Sequence, residues 1–213
     1  MLRWNFPCMS DFDAILFDFD GTLLDTEPVH WNCWAQVLNG AGLALTWEFY
    51  RDHCIGIDDR DMLRMIAEAA RPPCDWHSLW ALYPAKRKLF QERMAKPDFD
   101  PALGELLGQL DGRFKMAIVS SSSSAEIDPI LVAAGLRRHF GTIVGGGDVT
   151  RHKPSPEPYL LAASRLQASR ALVVEDSAAG IESGRAAGFE VIEVKHPREV
   201  PELVRQRLGN GRA

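Results

Sequence analysis

The alternation of short apolar runs with helical repeats along the chain predicts an α/β fold. Apolar runs at residues 14–17, 115–119, 142–144, 171–174 and 190–194 have the length and composition of buried strands. Between the later runs the chain shows helical patterns, as expected for helices that cover both faces of a parallel sheet. The pattern therefore predicts a Rossmann-like core built on a parallel sheet.

A different pattern fills the stretch between the first and the second predicted strand. Residues 26–96 show apolar positions at helical spacing and no convincing strand, and Pro84 is expected to break or kink the last helix of this stretch. We therefore predict an all-helical cap inserted into the core. The core then has a first part at residues 1–25 and a second part at residues 97–213.

Polar residues at characteristic positions predict where two of the later helices begin. Ser123 and Glu126 have the spacing of a capping box, so a helix is expected to begin there and to end at Gly135. Ser155 followed by Pro156 predicts the beginning of the next helix.

The composition is that of an ordinary globular protein with one or two domains. The chain has 213 residues, of which 46% are hydrophobic and 25% are charged. The net charge of −5 and the lack of a basic tract argue against a nucleic-acid partner. No apolar run approaches the roughly 20 residues that span a bilayer, so no membrane partner is expected either.

The cysteines and the beginning of the chain predict a cytoplasmic protein. Cys8, Cys33, Cys54 and Cys74 are widely spaced and form no Cys-x-x-Cys pair, so we interpret them as free thiols in a reducing compartment. The first residues lack the apolar core of a signal peptide, and Met9 is an alternative start.

The tripeptide Asp-Phe-Asp occurs three times, but only one copy is placed for chemistry. Residues 11–13 precede the first predicted strand and residues 98–100 run into a proline, so both copies are interpreted as solvated loop charges. Residues 18–20 follow the first apolar run directly. Ligands of open α/β sheets bind at the carboxyl ends of the strands. Asp18 and Asp20 therefore suit phosphoryl chemistry, in which one carboxylate attacks phosphorus and the other transfers a proton.

Further polar residues stand at the ends of apolar runs or just before a helix, and they complete a plausible phosphoryl site. These residues are Ser120, Lys153, Glu175 and Asp176. Mg²⁺ prefers carboxylate oxygens together with substrate phosphate, while a hydroxyl and an ammonium group hold phosphoryl oxygens. A carboxylate nucleophile then has a positioned target. Taken alone, residues 175–177 are an equally good helix cap. The combination at strand ends is more specific than any one residue.

These motifs resemble the four motifs of the haloacid dehalogenase-like hydrolase superfamily, and the resemblance covers nearly the whole chain. The motifs that carry it are residues 18–23 (DFDGTL), Ser120, residues 153–154 (KP) and residues 175–177 (EDS). Residues 25–30 (DTEPVH) and residues 174–181 (VEDSAAGI) resemble the β-phosphoglucomutase-like branch. That branch carries a helical cap where this chain has its helical block.

The resemblance implies a role for each motif residue. Asp18 is expected to be the nucleophile that forms an aspartyl-phosphate. Asp20 is expected to protonate the leaving oxygen, then to activate water, and to offer its backbone carbonyl to Mg²⁺. Ser120 and Lys153 are expected to bind the phosphoryl group. Asp18, Glu175 and Asp176 are expected to supply the carboxylates that hold Mg²⁺.

The substrate side of the site is less defined by the sequence. Five residues are expected to contact substrate: Glu27, His30, Gly56, Arg60 and Ser121. His30 matches a position near the acid/base aspartate in relatives, although a structural histidine is an equally good interpretation. Residues 56–60 resemble a cap loop that touches substrate, and they also fit a helix N-terminus capped by Asp58 or Asp59. The tryptophans of residues 26–96 are interpreted as packing residues.

We therefore predict a Mg²⁺-dependent phosphatase of a small phosphorylated metabolite, a sugar or polyol phosphate. A β-phosphoglucomutase-type isomerase is the first alternative, and a receiver-like phospho-signalling module is the second. In the mutases a basic residue precedes the loop glycine and an Arg follows it, whereas this chain has Ile55 and Asp59 at those positions. The helical insertion and Asp20 argue against a signalling module. The sequence leaves the oligomeric state open.

Overall fold

A five-stranded parallel sheet forms the centre of the computed structural model, which describes residues 11–209. The strands are β1 (Ala14–Phe17), β2 (Lys115–Val119), β3 (Thr142–Val144), β4 (Ala171–Glu175) and β5 (Glu190–Glu193). Their order in the sheet is β3-β2-β1-β4-β5, with every neighbouring pair parallel. The predicted α/β class is confirmed. Because β1 is the central strand, its carboxyl end lies between the ends of β2 and β4.

Five helices and no strand lie within residues 26–96, a part of the chain that is described without gaps. They are α1 (Glu27–Gly40), α2 (Trp47–His53), α3 (Asp59–Ala69), α4 (Trp76–Trp80) and α5 (Tyr83–Arg93). Pro84 stands in the first turn of α5, so the expected break falls between α4 and α5. The connections at residues 18–26 and 94–100 contain the expected domain boundaries, which remain a prediction.

The other described helices cover the sheet. They are α6 (Pro101–Leu110), α7 (Ser124–Ala133), α8 (Glu157–Leu166), α9 (Ala178–Ala186) and α10 (Val200–Gly209). Successive residues of a strand point to opposite faces. Ile15 and Phe17 of β1 pack in one apolar cluster with α6, α7 and α10, while Ala14 and Leu16 pack in a second cluster with Tyr159 of α8. The whole of β1 is therefore buried, as expected for a central parallel strand.

The inserted helices have an apolar core of their own. Trp34 and Leu38 of α1 pack with Met62 and Leu63 of α3, and all four are buried. The remaining tryptophans of this region are partly buried against the same cluster. This separate core makes the helical insertion a packing unit distinct from the sheet and its covering helices.

The expected capping box at the beginning of α7 is corrected by a long-range contact. The hydroxyl of Ser123 accepts a hydrogen bond from Ala125 N at the beginning of α7, but Glu126 does not complete the capping box. Its carboxylate lies 3.1 Å from Nζ of Lys86 on α5 instead, because a fully buried ammonium group requires a counter-charge.

The two other Asp-Phe-Asp copies have structural contacts that the sequence pattern did not predict. A carboxylate oxygen of Asp13 accepts the N–H groups of Ser169 and Arg170. Asp100 accepts the N–H of Ala102 and so caps α6, a helix that was not predicted from the sequence. These carboxylates therefore tie loops and a helix end to the core.

Two further expectations concern thiols and membrane spans. Within residues 11–209, Cys33 and Cys54 are buried, Cys74 is exposed, and all three are free thiols. Cys8 and Met9 lie outside the described residues. No helix in that range has the length and apolar character needed to cross a bilayer.

Candidate active site

The sheet brings the predicted site residues together at one edge. Asp18 directly follows β1 and is still paired to the ladder, because its N–H donates to Val174 O on β4 at 2.9 Å. Ser120 directly follows β2 and its N–H donates to Val144 O on β3 at 3.0 Å. Glu175 is the last residue of β4. Parallel pairing therefore places these three side chains beside one another.

A buried lysine joins two of the carboxylates. Lys153 Nζ donates hydrogen bonds to Asp18 Oδ1 at 2.7 Å, to Glu175 Oε1 at 2.5 Å and to Val119 O at 3.1 Å. All of its donors are thus used. The carboxylates of Asp18 and Glu175 outweigh burial and raise the pKa of Lys153, so the ammonium form is favoured.

The same edge carries more negative than positive charge. One carboxylate oxygen each from Asp18, Glu175 and Asp176 lies within 4.8 Å of the others. Burial, together with Glu175, raises the pKa of Asp18 well above its ordinary value, against the opposing charge of Lys153. Burial, again with Glu175, raises the pKa of Asp176 to about 6. Three carboxylates facing one ammonium form a site whose charge a divalent cation can balance.

Two observations bear on which carboxylate oxygens remain for a ligand. Asp18 Oδ2 is buried and has no hydrogen-bond partner among the described residues. Glu175 is fully engaged: Oε1 accepts from Lys153 and from the Tyr159 hydroxyl at 3.0 Å, and Oε2 accepts from Asp176 N, Ser177 N and Ser177 Oγ. Glu175 therefore holds Lys153 and the loop after β4 in place.

The turn after β1 positions Asp176. Gly21 has a positive φ of 79°, and a Cβ atom there would lie 2.2 Å from Asp176 Oδ2. Thr22 Oγ1 donates a 2.8 Å hydrogen bond to the other carboxylate oxygen of Asp176. The Gly-Thr pair of the first motif thus permits and fixes the approach of the β4 loop.

Asp20 has surroundings very different from those of Asp18. Its Oδ1 accepts from Thr26 Oγ1 at 2.6 Å and lies 3.1 Å from His30 Nε2, and its Oδ2 accepts from Ser120 Oγ at 2.8 Å. Burial would raise the pKa of Asp20, but the charge and hydrogen bond of His30 and further hydrogen bonds from Thr26 and Ser122 outweigh it and lower the pKa strongly. Asp20 is therefore held as a carboxylate.

His30 is the charged partner of Asp20. It lies at the beginning of α1, is buried, and stacks on Phe90 with ring centroids 4.0 Å apart. Burial and the charge of Lys86 lower its pKa, but the Asp20 carboxylate outweighs them and the net pKa is raised. The buried Asp20–His30 pair therefore shares one proton, carried by the imidazole.

A small cavity of about 40 Å³ lies between the sheet edge and the helical insertion. Its lining includes eight of the residues predicted for the site: Asp18, Asp20, Glu27, His30, Gly56, Ser120, Ser121 and Lys153. Glu27 accepts a 2.8 Å hydrogen bond from the Tyr50 hydroxyl, and burial raises its pKa to about 7. The structure thus brings the four predicted catalytic residues and four of the five expected substrate residues to one cavity, whereas Glu175 and Asp176 do not line it.

Arg60 is placed apart from this lining. Its guanidinium carbon lies 4.4 Å from the centre of the Trp80 ring, and its side chain is 3.9 Å from Asp58. These residues border a neighbouring cavity of about 110 Å³. The role of Arg60 in binding substrate remains a prediction.

Other residues line the central cavity that the sequence did not single out. They are Tyr50, Cys54, Ile57, Asp59, Ser122 and Ser177. Ser122 and Ser177 stand inside recognisable motifs, so motif position was an available signal. Ile57 and Asp59 belong to residues 56–60, which resemble a cap loop that touches substrate. Tyr50 carries no local signal and reaches the cavity through the packing of α2 within the inserted helices.

Comparisons with known proteins agree with the site. A family model described as "Haloacid dehalogenase-like hydrolase" matches residues 15–194. The chain is 32% identical over 191 residues to fructose-1-phosphate phosphatase YqaB of Escherichia coli (strain K12), covering 86% of this chain and 97% of that protein. It is 30% identical over 184 residues to a phosphorylated carbohydrates phosphatase of Thermotoga maritima, covering 84% and 83%. The crystal structure of CbbY from Rhodobacter sphaeroides in complex with phosphate is similar, with a TM-score of 0.75, 26% identity and 85% coverage of each chain.

Proposed function

Because the chain belongs to the haloacid dehalogenase-like hydrolases, in the branch of β-phosphoglucomutase and CbbY with a helical cap, we propose that it is a phosphatase of phosphorylated sugars or polyols. One observation carries the proposal. Asp18, with a free buried oxygen beside Lys153, and Asp20, paired with His30, meet at the end of one strand. A nucleophile and a proton donor are thus set side by side. The substrate class follows the names of the two relatives.

In the first step, an oxygen of Asp18 attacks phosphorus and the ester bond to the substrate oxygen breaks. The free Oδ2 of Asp18 is the oxygen available for attack, since Oδ1 is bonded to Lys153. The leaving oxygen takes a proton from Asp20, which receives one from the protonated His30 beside it, so the pair is left as a carboxylate and a neutral imidazole. The products are the free alcohol and a phosphate bonded to Asp18.

In the second step, water replaces Asp18 on phosphorus. Asp20 accepts a proton from the attacking water and passes it to the neutral His30, which restores the starting state of the pair. Breaking the bond between Asp18 and phosphorus releases inorganic phosphate and restores the carboxylate. Ser120 keeps Asp20 oriented through its 2.8 Å hydrogen bond.

The acidic edge fits a Mg²⁺ ion, which we propose as the cofactor. Asp18, Asp176 and Glu175 are the candidate ligands, with the backbone carbonyl of Asp20 as a fourth oxygen. Asp176 is the stronger carboxylate candidate, because both oxygens of Glu175 already accept several hydrogen bonds. When bound, Mg²⁺ neutralises charge on the phosphoryl oxygens. Lys153 supplies the remaining positive charge.

Substrate entry requires the helical insertion to move. Ligand cavities in proteins typically measure roughly 300–1,000 Å³, far above the cavity of about 40 Å³ between the sheet edge and the insertion. We therefore infer that the described arrangement is the closed one and that the insertion acts as a lid. Closure then keeps water out during the attack by Asp18. The cytoplasmic location expected from the sequence remains a prediction.

A test of the proposal is phosphate release across a panel of esters. The panel contains fructose 1-phosphate, other sugar and polyol phosphates, phosphoglycolate and nucleotides, each with Mg²⁺. We expect the highest kcat/KM among the sugar and polyol phosphates. Release from none of the panel, or a clear preference for nucleotides, would overturn the proposed substrate class.

A second assay separates hydrolysis from the isomerase alternative. Hexose 1-phosphate is supplied with Mg²⁺ and a catalytic amount of the hexose bisphosphate. A mutase must bind a second phosphate in the cap. Here Asp58 and Asp59 precede Arg60 and Asp61 follows it, which disfavours a second dianion. We expect free phosphate as the main product. Formation of hexose 6-phosphate much faster than free phosphate would replace the phosphatase proposal by the isomerase.

A further inference from the structure

Asp59 is a charged group on the cap side of the site whose position is unusually well fixed. It is the first residue of α3 and borders both the central cavity and its neighbour. Its Oδ1 accepts a 2.8 Å hydrogen bond from Trp34 Nε1, and its Oδ2 lies 3.2 Å from Lys86 Nζ. The Asp59 side chain is 24% exposed, whereas that of Lys86 is fully buried. Trp34 and Lys86 therefore fix the Asp59 carboxylate, which also borders the two cavities.

The group that holds Asp59 is itself anchored to the core. Lys86 Nζ also donates to Glu126 Oε1 on α7 at 3.1 Å, across the interface between the helical insertion and the core. The same ammonium lies within 6 Å of the ring centres of Trp34, Tyr83 and Phe90. A carboxylate fixed in this way loses little conformational freedom when it binds a ligand. The position of Asp59 relative to the sheet edge is therefore fixed when the insertion is closed.

The chemistry of Asp59 defines what it can recognise. An ionised carboxylate accepts about four hydrogen bonds, of which Trp34 and Lys86 use two. The other acceptor positions are available to donors on a ligand. Glu27 adds a second carboxyl group to the lining of the central cavity. Hydroxyl groups can donate to the Asp59 carboxylate, whereas a carboxylate or a second phosphate is repelled by it.

We propose that Asp59 is the specificity residue of this enzyme, accepting hydrogen bonds from hydroxyl groups of the leaving alcohol. This rests on the proposed phosphatase function and narrows its substrate class to neutral polyhydroxy monophosphates. Trp34 and Lys86 act as positioning residues behind it. Asp59 makes no contact with the phosphoryl side of the site, where Asp18, Ser120 and Lys153 lie. Its contribution is expected in substrate selection and not in the attack on phosphorus.

The test compares Asp59→Asn with the wild type on two substrates. One is a sugar monophosphate that the wild type hydrolyses, and the other is p-nitrophenyl phosphate, whose leaving group carries no further hydroxyl. The matched control is Asp61→Asn, because Asp61 lies on the same helix, is exposed and pairs only with Arg64 among the hydrogen bonds of the described residues. Losing hydrogen bonds to a charged acceptor predicts an about 10- to 100-fold lower kcat/KM for the sugar phosphate, mainly through KM.

The outcomes separate this inference from the proposed function. We expect kcat on p-nitrophenyl phosphate to stay within about twofold of the wild type, and the discrimination against hexose bisphosphate to weaken. An equal loss on both substrates, or no loss on either, would overturn the role of Asp59 while leaving a phosphatase. A wild type inactive on every sugar phosphate would overturn the proposed function instead.

A second variant covers the case in which Asp59→Asn unfolds. Asp59→Glu keeps the negative charge opposite Lys86 and extends the carboxylate into the cavity by one methylene. The thermal unfolding midpoint of each variant reports folding directly. For folded Asp59→Glu, we expect a changed order of preference among sugar phosphates with unchanged kcat on p-nitrophenyl phosphate. An unchanged order of preference would contradict the proposal.

Discussion

At the scale of single residues, the two aspartates after β1 have opposite environments although only Phe19 separates them. Asp18 faces the Lys153 ammonium and two other carboxylates, and one of its oxygens is unbonded among the described residues. Both oxygens of Asp20 are bonded, and His30 holds the proton beside it. Residues two apart on an extended backbone face the same side, so the difference comes from the neighbours that the fold brings to each carboxylate. This difference is the basis for assigning them different chemical roles.

Replacing Asp18 by Asn is expected to abolish turnover. The amide is not an anionic nucleophile, so phosphate release should fall below a few per cent of wild type while the fold is kept. Steady-state phosphate release and the thermal unfolding midpoint are the measurements. The matched control is Asp11→Asn, an exposed carboxylate in another Asp-Phe-Asp copy. Substantial Mg²⁺-dependent turnover by Asp18→Asn would remove Asp18 from the nucleophile role.

Replacing Asp20 by Asn is expected to slow both formation and breakdown of the aspartyl-phosphate. General acid–base catalysis typically contributes roughly 10²- to 10⁴-fold, so a loss in that range is predicted. Single-turnover kinetics by rapid quench resolve the two steps. The amide oxygen of Asn can accept from one of the two hydroxyls of Thr26 and Ser120, and its NH2 group can donate to the other, so the packing around position 20 should change little. Unchanged rates in both steps would contradict the assignment.

At the scale of elements, the two connections between core and insertion are placed to act as hinges. A cavity of about 660 Å³ lies beside them, bordered by Leu24 and Asp25 of one connection and by Met94 and Pro97 of the other. The cavity leaves space beside both connections, into which their backbone can move when the insertion rotates. The insertion also contacts the core away from these connections, where the buried Lys86–Glu126 pair joins it to α7. When the insertion opens as a lid, either the Lys86–Glu126 contact has to break or α7 has to move together with the insertion.

Linking the insertion to the core is expected to block turnover. Gln91 on α5 and Ala125 on α7 are suitable positions, because Gln91 Nε2 donates to Ala125 O at 3.3 Å. In a Cys74→Ser background, the pair Gln91→Cys and Ala125→Cys is joined by oxidation or a short crosslinker. Turnover of a sugar phosphate should fall at least about tenfold and return on reduction, because a closed lid excludes substrate. The single-cysteine variants are the controls. Undiminished turnover by the crosslinked protein would show that no lid motion is needed.

At the scale of the whole molecule, the candidate metal site exists only in the folded chain. Asp18 and Asp176 are far apart in sequence, and the parallel pairing of β1 with β4 brings them together. A cation that binds such a site binds the folded state and not the unfolded one. Metal binding is therefore expected to stabilise the fold as well as to support the reaction.

Chelation with EDTA is expected to inactivate the enzyme, and added Mg²⁺ to restore it. Mg²⁺ should also raise the thermal unfolding midpoint of the wild type, because it binds only the folded chain. Asp176→Ala should raise the Mg²⁺ concentration needed for half activity sharply and remove most of the thermal shift. Full activity after exhaustive chelation, or a normal Mg²⁺ response of Asp176→Ala, would contradict the metal assignment.

The sequence by itself determined the α/β core, the inserted helices and the residues at the strand ends. These features have local signals: apolar runs, helical spacing and polar residues directly after a strand. Residues 18–20, Ser120 and Glu175 were found in this way. Parallel strands start and end together, so residues that follow neighbouring strands meet at one edge without further information. The helices α6 and α10 were not predicted, although Leu103, Leu106, Leu107 and Leu110 of α6 stand at helical spacing.

The tertiary structure alone decided which side chains contact one another across elements. Glu126 pairs with Lys86 instead of capping its own helix, and Asp59 borders the cavity while Arg60 turns to Trp80. Burial decides these contacts, because a charge removed from water takes whatever partner the packing supplies. Such partners lie tens of residues away and follow no period along the chain. Local pattern therefore located the catalytic edge, and packing of the insertion against the core decided what faces it.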